Sequence, residues 1–306
     1  MIDVLVFTYN NEDIIERCLK SIKNQSYKKF SCMVIDDAST DGTVELVKKK
    51  YPWVNVYKKE KNTGPTEGRN IGIEKTKNKY IAMLDSDVEL SKDWLKNQVA
   101  LIKSDKDIGI VGSKLLLPNG NINSAGGSIT RLGFGFDKTT DSKKQEQVIY
   151  VCSAAWMMRR SIIEKIGFFD ERFFYPHEDT DYCWRACIAG FKVVYNPFTV
   201  AYHLSGGTIK KMSKRVAYNA SKNRIRSLLK NYEPKNILKY MPLHIALVIL
   251  DIPLKNNRIA KIKGLLWNLT NIMDTIKRRK DVQKTRKVSD KELMVLFSKK
   301  WINEKV

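Results

Sequence analysis

Asp85-Ser86-Asp87 closes the run Tyr80-Ile-Ala-Met-Leu-Asp-Ser-Asp-Val-Glu89. Five mostly apolar residues read as a buried strand that delivers two carboxylates at its end. In an open parallel sheet, ligands bind beyond the carboxyl ends of the strands. Two carboxylates two residues apart suit a hard divalent cation and the phosphates it carries. A second strand, in Val34-Ile-Asp-Asp-Ala-Ser-Thr-Asp-Gly-Thr43, runs into Asp36-Asp37 and puts more acid at the same edge. Glu178-Asp179 and His203 form a later cluster. Each group also has a plainer reading. Acids cap turns and favour the first turn of a helix. Asp181 and Arg185, four apart, read as a surface pair. A lone histidine such as His203 is more often structural, and His177 and His244 are read that way.

The elements that must position these groups follow from the apolar pattern. Over the first ~110 residues strand and helix signals alternate, which favours an α/β fold with a mainly parallel sheet. Strands are expected at 4–8, 31–35, 54–57, 80–84 and 108–111. Asn10, with Asp13 three later, looks like a helix start ahead of Ile14, Ile15, Cys18, Leu19 and Ile22. Ser91 is expected to cap the helix near Trp94, and Gly64-Pro65 to open another. Residues 112–150, rich in Gly, Asn, Ser and Thr, suggest hairpins or a partly mobile loop. Past 208 the pattern is helical and basic, with Leu265, Leu266, Leu269, Ile272, Met273 and Ile276 at helical spacing before Lys277-Arg-Arg-Lys280.

In this order the pieces resemble family 2 glycosyltransferases of the GT-A fold, most closely the rhamnosyltransferase-type branch. The matching segments are Thr8-Tyr9-Asn10, Asp36-Asp37-Ala-Ser-Thr-Asp-Gly-Thr, Asn62-Thr-Gly64, Arg69-Asn70-Ile-Gly72, Asp85-Ser-Asp87, Gly167 through Arg185, and Tyr202-His203-Leu-Ser-Gly206-Gly207. They cover about residues 1–207. The resemblance implies a catalytic domain over 1–207 and a basic, mostly helical appendage over 208–306. It implies that Asp37 accepts a hydrogen bond from a nucleotide base, with Thr8, Tyr9 and Asn10 beside it, and that Asp85 lies near ribose and metal. Asp87 is similar to the direct metal ligand, His203 to the histidine that completes the site, and Asp179 to the catalytic base. Glu178 either orients Asp179 or binds acceptor. Arg69 either contacts diphosphate or covers a helix face. Trp156 either stacks on the acceptor sugar or packs in the core. The implied cofactors are Mn²⁺ or Mg²⁺, with a nucleotide-diphosphate sugar as donor and a saccharide or lipid-linked saccharide as acceptor. The implied reaction is a single inverting displacement. Pro176-His177 stand where many relatives have a glycine-containing turn, so acceptor identity does not carry over.

Two other functions compete with this reading. A sugar-1-phosphate nucleotidylyltransferase wants a glycine-rich phosphate loop after the first strand, where this chain reads Thr8-Tyr-Asn-Asn-Glu12. A non-catalytic sugar-nucleotide-binding protein is disfavoured by Asp87, Asp179 and His203 occurring together.

The charge of +22 is uneven. Residues 208–306 carry 25 Lys/Arg against 7 Asp/Glu, and residues 1–207 carry 30 against 26. The near-neutral first part argues against nucleic acid. The basic part, with apolar stripes, Trp267 and Trp301, points to an anionic membrane surface. The run 241–254 is broken by Pro242, His244, Asp251 and Pro253, short of the roughly 18–20 apolar residues a span needs. Five unpaired-looking cysteines and no visible signal peptide lead to an expected cytoplasmic location, peripheral on the cytoplasmic face of the cell membrane.

Overall fold

The computed structural model describes residues 1–204, 214–251 and 257–301. Gly206-Gly207 of the closing motif, the 207/208 boundary and residues 252–254 of the apolar run lie outside the described residues. In chain order the elements are β1 (Ile2–Thr8), α1 (Ile15–Lys23), β2 (Phe30–Asp36), α2 (Thr43–Lys50), β3 (Asn55–Lys58), α3 (Pro65–Glu74), β4 (Tyr80–Asp85), β5 (Val88–Leu90), α4 (Trp94–Ser104), β6 (Ile108–Leu116), β7 (Ile122–Ala125), β8 (Gly127–Ile129), β9 (Gly135–Asp137), β10 (Glu146–Gln147), β11 (Ala155–Arg159), α5 (Ser161–Ile166), α6 (Glu178–Ile188) and β12 (Lys192–His203). The C-terminal helices follow: α7 (Lys214–Asn231), α8 (Pro234–Asp251), α9 (Arg258–Thr270), α10 (Ile272–Lys284) and α11 (Asp290–Leu293).

The main sheet runs β10-β12-β6-β11-β4-β1-β2-β3. β3, β2, β1 and β4 are parallel, and β11 enters antiparallel between β4 and β6. Every residue of β1 is buried, because helices cover both faces of the sheet. Leu5, Phe7, Ile35 and Met83 feed one core, with α6 and α7 above it. Val4, Val6, Val34 and Leu84 feed the other, with α1 and α4. The alternation follows from the two-residue period of a strand.

Gly64-Pro65 does open α3. Gly64 has φ 91°, and a Cβ there would collide with the Phe174 ring. Two expected helix starts differ. Asn10 caps nothing: α1 begins at Ile15, and Asn10 sits at φ 50° with its Oδ1 accepting from Thr40 N at 2.9 Å, tying the β1 loop to the β2 loop. Ser91 supplies a backbone carbonyl, not a side-chain cap, to Trp94 N.

The reading of 208–306 as an appendage needs amending. Ile225, Leu228, Tyr232, Val282, Leu293 and Phe297 belong to the same core as Trp156 and Trp184. Asp181 is likewise no surface residue. It is 1% exposed and accepts from Arg185, Lys230, Ser227 and Asn231, so α7 clamps α6. Asp170 joins this network through Arg226 and Lys230. Burial opposes its charge, yet the two cations hold its carboxyl far below the usual carboxylate range.

Candidate active site

Parallel pairing sets Thr8 beside Asp36 and Phe7 beside Asp85, so three strand ends open on one edge. The chain leaves β1 toward β2 on one side, while β4 lies on the other, which creates the crevice of a topological switch point. A cleft of about 230 Å³ lies there, lined among others by Thr8, Tyr9, Asn11, Asp37, Gly64, Asp85 and Asp87.

The two acids of Asp36-Asp37 divide their work. Asp36 is fully buried and accepts from Ser39 N and Ser39 Oγ, which shapes its own loop. Asp37 reaches the cleft. Its Oδ1 accepts from Lys59 Nζ at 2.6 Å and Thr63 N at 3.1 Å, and its Oδ2 from Gly64 N at 2.9 Å. Lys59 went unnoticed in the sequence. Tyr9 is half-exposed at the rim, and Thr8 Oγ1 is buried with no hydrogen-bond partner among the described residues. Asn11, rather than Asn10, lines the cleft and donates to Ser86 Oγ at 2.7 Å.

Asp85, Asp87 and His203 offer ligand atoms that all lie within 4.8 Å of one another. The fold explains how a residue 116 positions beyond Asp87 arrives there: β5 begins one residue past Asp87 and pairs Val88 with His203. His203 Nε2 is 3.3 Å from Asp87 Oδ2, and Nδ1 is 2.9 Å from Asn123 Oδ1. An amide oxygen only accepts, so Nδ1 carries a proton toward Asn123, and Nε2 is the ring nitrogen that faces Asp87. Two carboxylates and such an imidazole are a donor set that fits Mn²⁺ or Mg²⁺. Burial, with Asp87 beside it, pushes Asp85 up to about 6 against the pull of Arg69 and His203. Burial disfavours the His203 cation, but Asp87 and Asp85 outweigh it and raise that pKa.

Arg69 is almost wholly buried and does not line the cleft. It donates to Glu178 Oε1 at 2.9 Å and Ser153 Oγ at 2.8 Å, and lies 3.6 Å from Asp85 Oδ1. It therefore ties the metal-type cluster to the start of α6 rather than presenting itself to a ligand. Glu178 Oε2 is buried without a partner among the described residues. Asp179, half-buried, accepts from Ser153 N and Thr180 N. Burial, reinforced by Glu178 and Asp137, pushes it up to about 7 despite Arg69. Asp137 on β9, which accepts from Ser124, is a further acid that the sequence reading missed. Trp156 is a correction. It is fully buried against Phe169 and Tyr182, on a strand buried on both faces, and cannot stack on an acceptor.

Helix-flanked sheet, switch-point cleft and acidic strand ends define a GT-A-like fold, and solved structures agree. A GalNAc-T7 structure with UDP, GalNAc and Mn²⁺ superposes with TM-score 0.69 at 17% identity, over 96% of this chain and 56% of that one. A mannosyltransferase from Pyrobaculum calidifontis, in complex with GDP-Man and Mn²⁺, gives 0.56 at 15% identity, over 93% and 85%. The model of glycosyl transferase family 2 matches residues 3–167, and the chain belongs to that family. Glycosyltransferase AglE of Haloferax volcanii is 24% identical over 66% of this chain and 66% of its own length. The poly(ribitol-phosphate) β-N-acetylglucosaminyltransferase TarS of Staphylococcus aureus is 25% identical over 82% of this chain and 41% of its own length. The chain thus spans two thirds or less of these relatives.

Proposed function

We propose that the protein is an inverting glycosyltransferase that moves a sugar from a nucleotide-diphosphate donor to a hydroxyl of a saccharide or lipid-linked saccharide, in cell-surface glycan, polysaccharide or glycoprotein glycan synthesis. The observation that carries this reading is the Asp85–Asp87–His203 cluster at the strand edge, joined through Arg69 to the acids of α6. UDP and GDP-Man in the related structures support a nucleotide donor.

The nucleotide base faces Asp37, whose Oδ2 accepts from Gly64 N, and Thr8 Oγ1 offers a hydroxyl without a partner among the described residues. A divalent cation held by Asp85, Asp87 and His203 would neutralise charge developing on the departing diphosphate. Asp179 accepts the proton of the acceptor hydroxyl as that oxygen bonds to the anomeric carbon. The bond from that carbon to the phosphate oxygen breaks on the opposite face, so the centre inverts. Glu178 and Ser153 hold Asp179 and Arg69 in register with the cleft. The basic C-terminal helices support a peripheral place on the cytoplasmic face of a membrane.

The test is a thermal-shift panel of UDP, dTDP and GDP sugars with and without Mn²⁺. A metal-dependent rise with one base class, lost in Asp87→Ala, is the expected result, since a ligand of the folded state raises stability by mass action. No rise with any donor would overturn the reading.

A further inference from the structure

Helix α9 is amphipathic the wrong way round. Its buried residues are Lys261, Gly264 and Asn268. Lys261 Nζ donates to Asp251 at 2.5 Å and Asn268 donates to the Lys222 carbonyl. Gly264 lets α9 lie against α7, since a Cβ there would stand 2.5 Å from the Tyr218 carbonyl. The outward face carries Ile259, Ile262, Leu266 and Leu269, spaced three and four apart along one stripe, all exposed and two of them by 70% or more. Met273 and Ile276 of α10 and Ile249 and Leu250 of α8 add exposed apolar area. Single exposed leucines mean nothing, but a stripe of four at helical spacing, on a helix whose buried residues are Lys261, Gly264 and Asn268 with Leu265 half-buried beside them, marks a surface suited to an apolar phase.

Charge identifies that phase. Residues 257–284 carry eight Lys/Arg against two Asp/Glu. At the N-terminal end of the stripe a groove of about 790 Å³ is lined by Lys214, Arg215, Tyr218, Arg258 and Lys263, with Ile259 shared between groove and stripe. Apolar side chains bordered by cations complement a bilayer whose surface carries phosphate. Among the described residues no helix is long and apolar enough to cross a membrane, so the stripe fits the interface. The groove also points back to the cleft. The Arg215 guanidinium lies 3.6 Å over the Phe174 ring, and Phe174 packs on Gly64 at the cleft wall.

We propose that the outward face of α9, together with exposed apolar residues of α8 and α10, docks on an anionic lipid bilayer, and that the cationic groove seats a lipid phosphate beside the cleft. The second half rests on the transferase reading above, because it gives a lipid-linked acceptor its place.

The experiment is flotation of the full chain with phosphatidylcholine vesicles and with an equal mixture of phosphatidylcholine and phosphatidylglycerol. The wild type should float with the mixed vesicles, and less as salt is raised. Ile262→Ser with Leu266→Ser should weaken partitioning about tenfold or more on both vesicles. Lys214→Glu with Lys263→Glu should weaken it about tenfold on the anionic vesicles alone. The nucleotide thermal shift should stay unchanged in both variants, which shows that they fold. No flotation by the wild type, or flotation unaltered by the serine pair, would overturn the proposal. So would a vesicle-free dimer that the serine pair abolishes, since it assigns the face to a second copy. Flotation as expected without any nucleotide shift would leave the docking face standing and sink the transferase reading instead.

Discussion

Arg69 donates to Glu178 at 2.9 Å across 109 residues of sequence, and both side chains are more than nine-tenths buried. This pair couples α3 to the first turn of α6 and thereby ties the acids at the strand edge to those of α6. Arg69→Met removes the cation from a buried pair and leaves Glu178 without it, one of whose carboxylate oxygens already has no partner among the described residues. Breaking a buried pair from one side costs about 3–5 kcal/mol. Urea denaturation should show a loss of that order. Arg69→Lys should recover part of the stability but not activity, because an ammonium cannot serve Glu178, Ser153 and Asp85 with a planar fork.

In the proposed reaction Asp179 must be ionised to take the acceptor's proton, and burial with neighbouring acids pushes it up to about 7. Raising pH through 7 therefore increases the competent form, and kcat/KM should rise along a limb centred near there. Asp179→Asn keeps the shape and removes the base. A loss of about 10²–10⁴-fold in kcat is expected, with donor binding retained. A pH limb that persists unchanged in the asparagine variant would assign the ionisation elsewhere.

The strand-end acids were legible because a short apolar run ending in Asp85-Ser-Asp87 says both where the strand stops and what it presents. The arrival of His203 was legible only as a family resemblance; its physical cause, the pairing of Val88 with His203, is a contact across 115 residues. Trp156 stayed open between acceptor and core, with the acceptor preferred, because strands buried on both faces lose the alternation that tells inside from cleft. Asp181 with Arg185 has the spacing of an ordinary surface pair, and nothing local announces that α7 will bury it. In α9 the periodicity was visible, but period alone does not say which face turns inward.

Asn123 holds His203 by its Nδ1 at 2.9 Å, and this hydrogen bond fixes the ring so that Nε2 is the nitrogen turned toward Asp87. Outer partners of this kind typically change metal affinity 10–100-fold when removed. Asn123→Leu should lower Mn²⁺ affinity within that range, read by calorimetry on the nucleotide complex, without the full loss expected of Asp87→Ala. Equal affinity in Asn123→Leu would mean that the hydrogen bond does not orient the ligand.

Lys230 is 1% exposed and donates to both Asp170 and Asp181, so α7 supplies countercharge to an acid of α6 and to one in the segment before it. Lys230→Met leaves two buried carboxylates with one cation fewer, and a loss of about 3–5 kcal/mol is expected. The sign with pH follows from Asp170. Its carboxyl is held far below the unfolded value, so its contribution is complete above roughly pH 4 and is lost progressively as pH falls from there toward the much lower folded value. The wild type should accordingly lose stability on acidification more steeply than Lys230→Met, and the two unfolding curves should converge at low pH. Removing residues 208–306 should do more harm than the point variant. It strips α7 from the network and uncovers Trp184, which packs edge-on against Tyr232 at 4.9 Å and Phe297 at 5.4 Å. A truncated chain ending at 207 that unfolded cooperatively near the wild-type midpoint would show that the first 207 residues carry their own core.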